Sequence, residues 1–279
     1  MSKVVKCYFK RYFKMVIDFH THAFNDKIAE KAIARLQSVA NVKAYSDGRI
    51  NAIAETIKSG AIDKAVLLPV ATKPSQQKIL NDWVKEIHDE NENIIPFGSV
   101  HPDAEDVFEE LYRIKEMGLY GVKLHPDYQD FFIDEERVFP VYEKCAELSL
   151  PVIFHAGYDP LSPDVVHAMP EASKRAHEAV PSMTMILAHM GGMKHWEEVS
   201  ELIAGLDNVY LDTAYTVDFM PTDLFKKIVS KHGADKILFA SDFPWHKSEM
   251  EKEFIENLDI SDEDKKKILG ENARKLLKL

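Results

Sequence analysis

Short apolar runs alternate with longer amphipathic stretches along most of the chain. Eight of the runs have the length and the β-branched or apolar content of buried strands. Between them, apolar residues recur at i, i+3 and i+4, the spacing of a helix with one buried face. The predicted strands are Met15–Phe19, Ala65–Val70, Ile94–Val100, Tyr120–Leu124, Pro151–Phe154, Met183–Ala188, Asn208–Leu211 and Lys236–Ala240. The predicted helices are Lys27–Ala40, Gln76–His88, Ala104–Met117, Glu135–Leu148, Pro163–Ala179, Lys194–Leu206, Thr222–Lys231 and Lys247–Leu258.

This alternation predicts a parallel sheet covered by helices, because parallel strands need a crossover between them. Eight such units favour a single-domain α/β protein with a (β/α)8 TIM barrel over residues 15–279. An open doubly wound sheet is the alternative. The long first interval carries turn residues from Ser46 to Gly48 and a second helical stretch, Ile50–Lys58, so we expect an enlarged first βα loop. Ser261–Leu279 predicts a C-terminal helix with Ser261 as its cap.

The first fourteen residues differ in charge from the rest of the chain. They contain five basic residues, and no acidic residue precedes Asp18. No uninterrupted apolar stretch follows, which argues against a secretory signal. We therefore interpret residues 1–14 as a basic N-terminal extension without a targeting role, or as a sequence upstream of a true start at Met15.

Composition narrows the classes of function. The chain is 46% hydrophobic and 29% charged, which suits a globular protein, and its 35 basic and 46 acidic residues give a net charge of −11. An acidic surface repels nucleic acids and anionic membranes. The longest apolar run, Ala65 to Ala71, is far shorter than the ~20 residues of a membrane-spanning helix. With only Cys7 and Cys145, the chain fits a reducing compartment, and we expect a cytoplasmic protein.

Candidate metal ligands follow five of the predicted strands. The ends of parallel barrel strands meet at one rim, where the active site of such a barrel is built. Imidazole and carboxylate together suit Zn²⁺ or a similar divalent ion. His20 and His22, two residues apart, should point the same way, and by the same parity Asp18 should face the barrel interior. The residues at the five strand ends are His20, His22, Lys123, His125, His155, His189 and Asp242.

The ordered motifs resemble those of the amidohydrolase superfamily, the metal-dependent hydrolases built on a (β/α)8 barrel. The resemblance runs from Met15 to about Leu277 and rests on IDFHTH, GVKLHP, VIFHAG, LAHMGG, FASDFP and NARKLL. The sequence is most similar to the amidohydrolase-related branch, also called predicted TIM-barrel metal-dependent hydrolases. That branch also includes aminocarboxymuconate semialdehyde decarboxylase and the resorcylate decarboxylases.

The resemblance implies roles for the residues at the strand ends. His20, His22, His155 and Asp242 would hold one metal ion, most simply Zn²⁺, and Asp242 would also move the proton. His189 would polarise the substrate. In binuclear members a carbamylated lysine at the position of Lys123 bridges two ions, with the histidines of strands five and six on the second. The branch with decarboxylases is largely mononuclear, so an unmodified Lys123 and a single ion are favoured.

The function expected from this site is hydrolysis of a C–N or C–O bond in a small amide, lactone or ester by a metal-activated water. The alternative is a lyase that decarboxylates a small unsaturated or aromatic acid, for which Lys123 or Arg49 would bind the carboxylate. A metal-binding barrel without catalysis is the third interpretation. His125, Tyr158, Trp245 and Arg49 are the candidate substrate-binding residues. The expected partner is a small molecule, without nucleic acid or membrane, and a homodimer is compatible with the sequence.

Overall fold

The strands and helices alternate around a closed parallel barrel in the computed structural model, which describes residues 15–279. The predicted basic extension, residues 1–14, and Cys7 lie outside the described residues. The strands are β1 (Ile17–Thr21), β2 (Lys64–Leu67), β3 (Ile94–Pro96), β4 (Val122–Leu124), β5 (Val152–Phe154), β6 (Met185–Leu187), β7 (Val209–Asp212) and β8 (Ile237–Leu238). All observed strand pairs are parallel.

Helices cover the barrel, as the periodicity predicts. The observed bounds are α1 (Ala29–Ala40), α2 (Ile50–Ser59), α3 (Gln77–Glu90), α4 (Val107–Glu116), α5 (Pro126–Gln129), α6 (Phe139–Glu147), α7 (Pro170–Ala179), α8 (Trp196–Leu202), α9 (Thr222–His232), α10 (Ser248–Asn257), α11 (Asp262–Lys266) and α12 (Asn272–Leu277). The helix α2 belongs to the enlarged first βα loop. No helix within residues 15–279 is long and apolar enough to span a bilayer.

Backbone hydrogen bonds close the sheet at both of its seams. Strands β1 to β3 form one continuous sheet, and strands β4 to β8 form another. Gly98 N donates to Gly121 O at 2.8 Å, which joins β3 to β4. Phe19 N donates to Phe239 O at 2.8 Å and Asp242 N donates to His20 O at 2.9 Å, which joins β8 to β1. The predicted barrel is confirmed, and the alternative of an open sheet is wrong.

Two layers of apolar side chains form the core. One layer fills the barrel interior and the other lies between strands and helices. Alternate residues of each strand serve the two layers: Ile153 of β5 points inward, for example, whereas Val152 and Phe154 pack under the helices. The interior layer contains Ile17, Phe19, Val66, Leu68, Ile95, Phe97, Ile153, Ile186, Leu238 and Ala240.

A bulge in β1 corrects the prediction made for Asp18. Asp18 pairs with Ala65, but Thr21 pairs with Leu67, so Phe19 and His20 together oppose one residue of β2. Phe19 packs in the barrel interior. The carboxylate of Asp18 accepts from Ser241 Oγ at 2.5 Å and, on α10, from Ser248 Oγ at 2.7 Å. Asp18 therefore faces the helical layer, and the bulge lets His20 turn toward the site.

The C-terminal segment covers the amino-terminal end of the barrel. Ser261 caps α11 by accepting from Asp264 N at 3.1 Å, as predicted. A short π-helical segment, Lys267–Glu271, follows and passes against the start of β1. There a Cβ on Gly270 would lie 2.2 Å from the carbonyl oxygen of Met15, so only glycine fits. From α12, Ala273 and Leu277 join the interior apolar layer.

The imidazole of His232, the last residue of α9, is buried and hydrogen-bonded at both nitrogens. Gly205 N donates to Nδ1 at 3.0 Å, so Nε2 carries the hydrogen and donates to Val209 O at 3.0 Å. His232 is 3% exposed. Burial lowers its pKa to about 4. Because the unfolded chain binds a proton below pH ~6.5, the folded state loses stability as the pH falls from there toward 4.

We predict that His232→Gln makes the free energy of unfolding less dependent on pH between pH 7 and pH 5. Between pH 7 and pH 5 the free energy of unfolding of the wild type should lose about 2 kcal/mol through His232 alone. Urea denaturation at the two pH values should show a loss smaller by that amount in the variant. The control is His195→Gln, a partly exposed imidazole beside Glu198. Equal losses in the wild type and His232→Gln would contradict the assignment.

Candidate metal centre and active site

Three of the predicted ligands meet at the carboxyl-terminal rim of the barrel. The Nε2 atoms of His20 and His22 lie 3.1 Å apart. Asp242 Oδ1 lies 3.5 Å from Nε2 of His20 and 3.3 Å from Nε2 of His22. His20 and Asp242 are buried, and the side chain of His22 is 17% exposed. Their ligand atoms could share one ion.

The outer hydrogen bonds aim both imidazoles at this point. His20 Nδ1 donates to Asp212 Oδ2 at 2.8 Å, and His22 Nδ1 donates to Leu68 O at 2.8 Å. Each Nε2 is therefore left with a lone pair, which is the state that binds metal. Burial holds the pKa of His20 well below its usual value. Burial opposes ionisation of Asp242, but the surrounding imidazoles of His22, His20 and His189 prevail and lower its pKa. Neutral imidazoles with a carboxylate fit a divalent ion.

Asp212 holds the centre together and was missed in the sequence. It is the last residue of β7 and is fully buried. While Oδ2 accepts from His20, Oδ1 accepts from the backbone nitrogens of His189 at 2.9 Å and Ala214 at 3.0 Å. The predicted strand ended at Leu211, so this carboxylate was not recognised as a strand-end residue. Its position at the end of a buried strand was the available signal.

A second group of polar side chains lies beside the first. Asp159 Oδ2 is 3.6 Å from His125 Nε2 and 3.7 Å from His155 Nε2. The rings of His125 and His155 stack at 4.3 Å with 7° between their planes. The ligand atoms of His125, His155 and Asp159 lie within 4.8 Å of one another, so this group, like the first, could hold an ion.

His155 and His189 connect the two groups. His189 Nδ1 donates to Ala214 O at 2.9 Å, and its Nε2 lies 3.1 Å from His155 Nδ1. The ring of His189 is also 5.5 Å from that of His20. His155 does not join His20, His22 and Asp242 within a common ligand distance. Its place as the fourth ligand stays a prediction.

Lys123 lies in the barrel interior below both groups. Its side chain is fully buried, and Nζ has no hydrogen-bond partner among residues 15–279. Burial lowers the pKa of Lys123 to about 8, against the opposing charges of Asp212, Asp242 and Asp159. An ammonium with this pKa is still mostly protonated at pH 7.

The remaining predicted substrate-binding residues differ in their placement. Trp245 follows the centre directly, and its backbone nitrogen donates to Asp242 O at 2.8 Å. Tyr158 is partly buried, and Lys194 Nζ lies 3.5 Å from its ring centre. Arg49 is not brought to the histidines in this structure, because its Nη1 donates to Asp47 Oδ2 at 2.7 Å on the surface of the first loop. Its role in binding stays a prediction.

The chain belongs to the amidohydrolase family, whose pattern it matches over residues 17–279. It is 26% identical to the gamma-resorcylate decarboxylase of Polaromonas sp. strain JS666 over 224 residues, which cover 63% of this chain and 68% of that protein. It is 25% identical to the 2-amino-3-carboxymuconate-6-semialdehyde decarboxylase of Dictyostelium discoideum over 236 residues, covering 72% of this chain and 66% of that protein.

Solved structures share the fold over nearly the whole chain. An uncharacterised TIM-barrel protein of Bordetella bronchiseptica has a TM-score of 0.77 and 19% identity, over 94% of this chain and 98% of that one. The 2,6-dihydroxybenzoate decarboxylase of Rhizobium has a TM-score of 0.72 and 17% identity, with coverages of 95% and 98%. A dihydroxybenzoic acid decarboxylase of Polaromonas, with bound manganese and 2-nitroresorcinol, has a TM-score of 0.71 and 18% identity, over 95% of this chain and 97% of that one. These similarities establish the barrel.

We predict that Asp212→Asn weakens metal binding by about 10–100-fold, because the neutral amide no longer fixes the tautomer and basicity of His20. Competition with a chromophoric chelator would measure the affinity for Zn²⁺ and Mn²⁺. Asp18→Asn is the matched control, since Asp18 is an equally buried carboxylate that bonds serine hydroxyls and no imidazole side chain. This control should lower the melting temperature and leave the affinity within threefold. Equal metal affinities in the two variants would contradict the role given to Asp212.

Proposed function

We propose that this chain is a divalent-metal-dependent, non-oxidative decarboxylase of a small aromatic or unsaturated carboxylic acid. The two relatives described above are both named as decarboxylases, which supports the lyase that the sequence offered as its alternative. Hydrolysis of an amide, lactone or ester, the function first expected, is supported only by membership of the family. Decarboxylation is therefore the function proposed first, and hydrolysis becomes the alternative.

The buried ammonium of Lys123 is the observation that carries this proposal. A buried cation without a partner is costly, and an anionic oxygen of a bound substrate would relieve that cost. A carboxylic acid offers such an oxygen, whereas a neutral amide or ester does not. Arg49, the other cation considered, is already paired with Asp47. Lys123 is thus proposed to bind the acid in its unmodified form.

The shape of the second group favours a planar substrate. Tyr128 stacks on His125 at 3.6 Å with 10° between the planes, and His125 stacks in turn on His155. The three rings therefore form one parallel stack beside the site. A flat aromatic or conjugated acid can lie against a ring of this stack with more contact than a tetrahedral or branched acid.

The metal is proposed to be a single Zn²⁺ or Mn²⁺ held by His20, His22 and Asp242. When bound, it would supply positive charge to stabilise the negative charge that develops on the substrate as CO₂ leaves. Asp212 keeps Nε2 of His20 directed at the ion, and Leu68 O does the same for His22. In the absence of substrate, the net charge of the site is determined by the ionisation states of these residues.

Decarboxylation consumes one proton, because R–COO⁻ and H⁺ become R–H and CO₂. The C–C bond breaks, its electron pair stays on the carbon, and the proton takes the place of CO₂. Asp159 is the proposed donor. Burial raises its pKa to about 7, so Oδ2 holds a proton in a large share of molecules at neutral pH. His189, bonded through Nδ1 to Ala214 O, would orient a substrate oxygen with its other nitrogen.

We predict that the metal-loaded protein releases CO₂ from 2,6-dihydroxybenzoate or a related hydroxy acid in equal amount to the aromatic product. Lys123→Met should lower kcat/KM at least about tenfold, because a charged hydrogen bond to the acid is lost. Lys144→Met is the matched control, since Lys144 pairs with Glu147 on the exterior of α6. Cleavage of lactones or amides, with no CO₂ from any acid of the panel, would instead establish the hydrolase.

We predict a loss of about 10²–10⁴-fold in kcat for Asp159→Asn, the range for removal of a general acid. Asp164→Asn is the control, because Asp164 lies exposed on the same loop. Stopped-flow or steady-state CO₂ detection would measure both variants, and metal analysis would show that each retains its ion. An Asp159→Asn variant as fast as Asp164→Asn would assign the proton to another group.

A further inference from the structure

A buried carboxylate faces His125 from the side opposite the site. The carboxylate belongs to Asp127 on α5, the single turn that follows β4, and its side chain is fully buried. Its Oδ2 lies 4.0 Å from His125 Nδ1. Neither atom has a hydrogen-bond partner among the described residues. At 4.0 Å the two atoms are not hydrogen-bonded, but Nδ1 can donate and Oδ2 can only accept, so each is a suitable partner for the other.

His167 holds Asp127 in this orientation. Its Nδ1 donates to Asp127 Oδ1 at 2.8 Å, which leaves Oδ2 turned toward His125. His167 comes from the loop after β5, its ring packs on Phe132 at 4.7 Å, and its carbonyl oxygen accepts from Ile133 N at 3.0 Å. The pair thus joins the loop after β4 to the loop that also carries Asp159.

The backbone around His125 is fixed separately. Gln129 Oε1 accepts from His125 N at 2.8 Å, and its Nε2 donates to Ala71 O at 2.9 Å and Val100 O at 2.8 Å. These bonds tie α5 to the segments that follow β2 and β3, and they involve no atom of the His125 ring. Nδ1 lies 4.0 Å from Asp127 Oδ2, so a shift of about 1 Å would bring the two atoms within hydrogen-bond distance.

We propose that Asp127, held by His167, is a positioning residue that places the hydrogen of His125 on Nδ1. With Nδ1 donating to Asp127, Nε2 of His125 must be an acceptor. That nitrogen faces Asp159 at 3.6 Å and lies on the substrate side of the stack. The pair therefore determines whether His125 accepts or donates a hydrogen bond in the site. The inference rests on the proposed function only in assigning His125 to the substrate site.

The tautomer of His125 can be measured without any substrate. Long-range ¹H–¹⁵N NMR of histidine-labelled, zinc-loaded protein distinguishes protonated from unprotonated ring nitrogens, and the missing signals of His125→Gln assign His125. We expect a protonated Nδ1 and an unprotonated Nε2 in the wild type. Asp127→Leu removes the acceptor and should exchange the two signals. Asp134→Leu, which removes a carboxylate paired with Arg175 just after the α5 loop, should leave them in place.

A wild-type His125 with its hydrogen on Nε2 would overturn the inference, and so would an unchanged tautomer in folded Asp127→Leu. If Asp127→Leu does not fold, the wild-type spectrum decides alone. A chain that decarboxylates nothing in the acid panel could still show the Nδ1 tautomer, and a working decarboxylase could show the other. Failure of this inference and failure of the proposed function are therefore separate results.

Discussion

The seam between β8 and β1 carries the candidate site. Residues 20 and 242 are far apart in the chain, and the backbone bond from Asp242 N to His20 O at 2.9 Å makes them neighbours. A second backbone hydrogen bond, from His22 N to Phe243 O at 2.6 Å, joins the same two segments two residues beyond His20. In an open sheet these strands would be opposite edges, and no ion could join their side chains. Closure of the barrel is thus the condition for the metal centre.

Burial then shifts the pKa values of the basic and acidic side chains at this rim in opposite directions. It disfavours charge, so it lowers the pKa values of His20 and Lys123 and raises that of Asp159. Asp242 departs from this trend because imidazoles surround it. The result is a carboxylate that stays ionised beside one that retains a proton. The proposed division of tasks, with Asp242 as metal ligand and Asp159 as acid, requires such a difference in pKa.

Much of the fold and part of the site could be predicted from local pattern. Strand and helix periodicity depends on neighbours in sequence, so the eight βα units and the Ser261 cap were predictable. The inward direction of Asp18 was predicted wrongly, because a bulge inserts one extra residue and breaks the alternation of faces. Asp159 and Tyr128 lie in loops, where no periodicity indicates which way a side chain points.

The sequence by itself determined the class of barrel and the kinds of ligand at its strand ends, because buried strands and strand-end chemistry are local properties. Tertiary structure decided which of those groups meet. It joined Asp212 to His20, grouped His155 with Asp159 apart from the three proposed ligands, and left Lys123 Nζ without a hydrogen-bond partner among residues 15–279. These outcomes depend on strand register, loop path and burial. All three are set by contacts between residues distant in the chain, which no local pattern records.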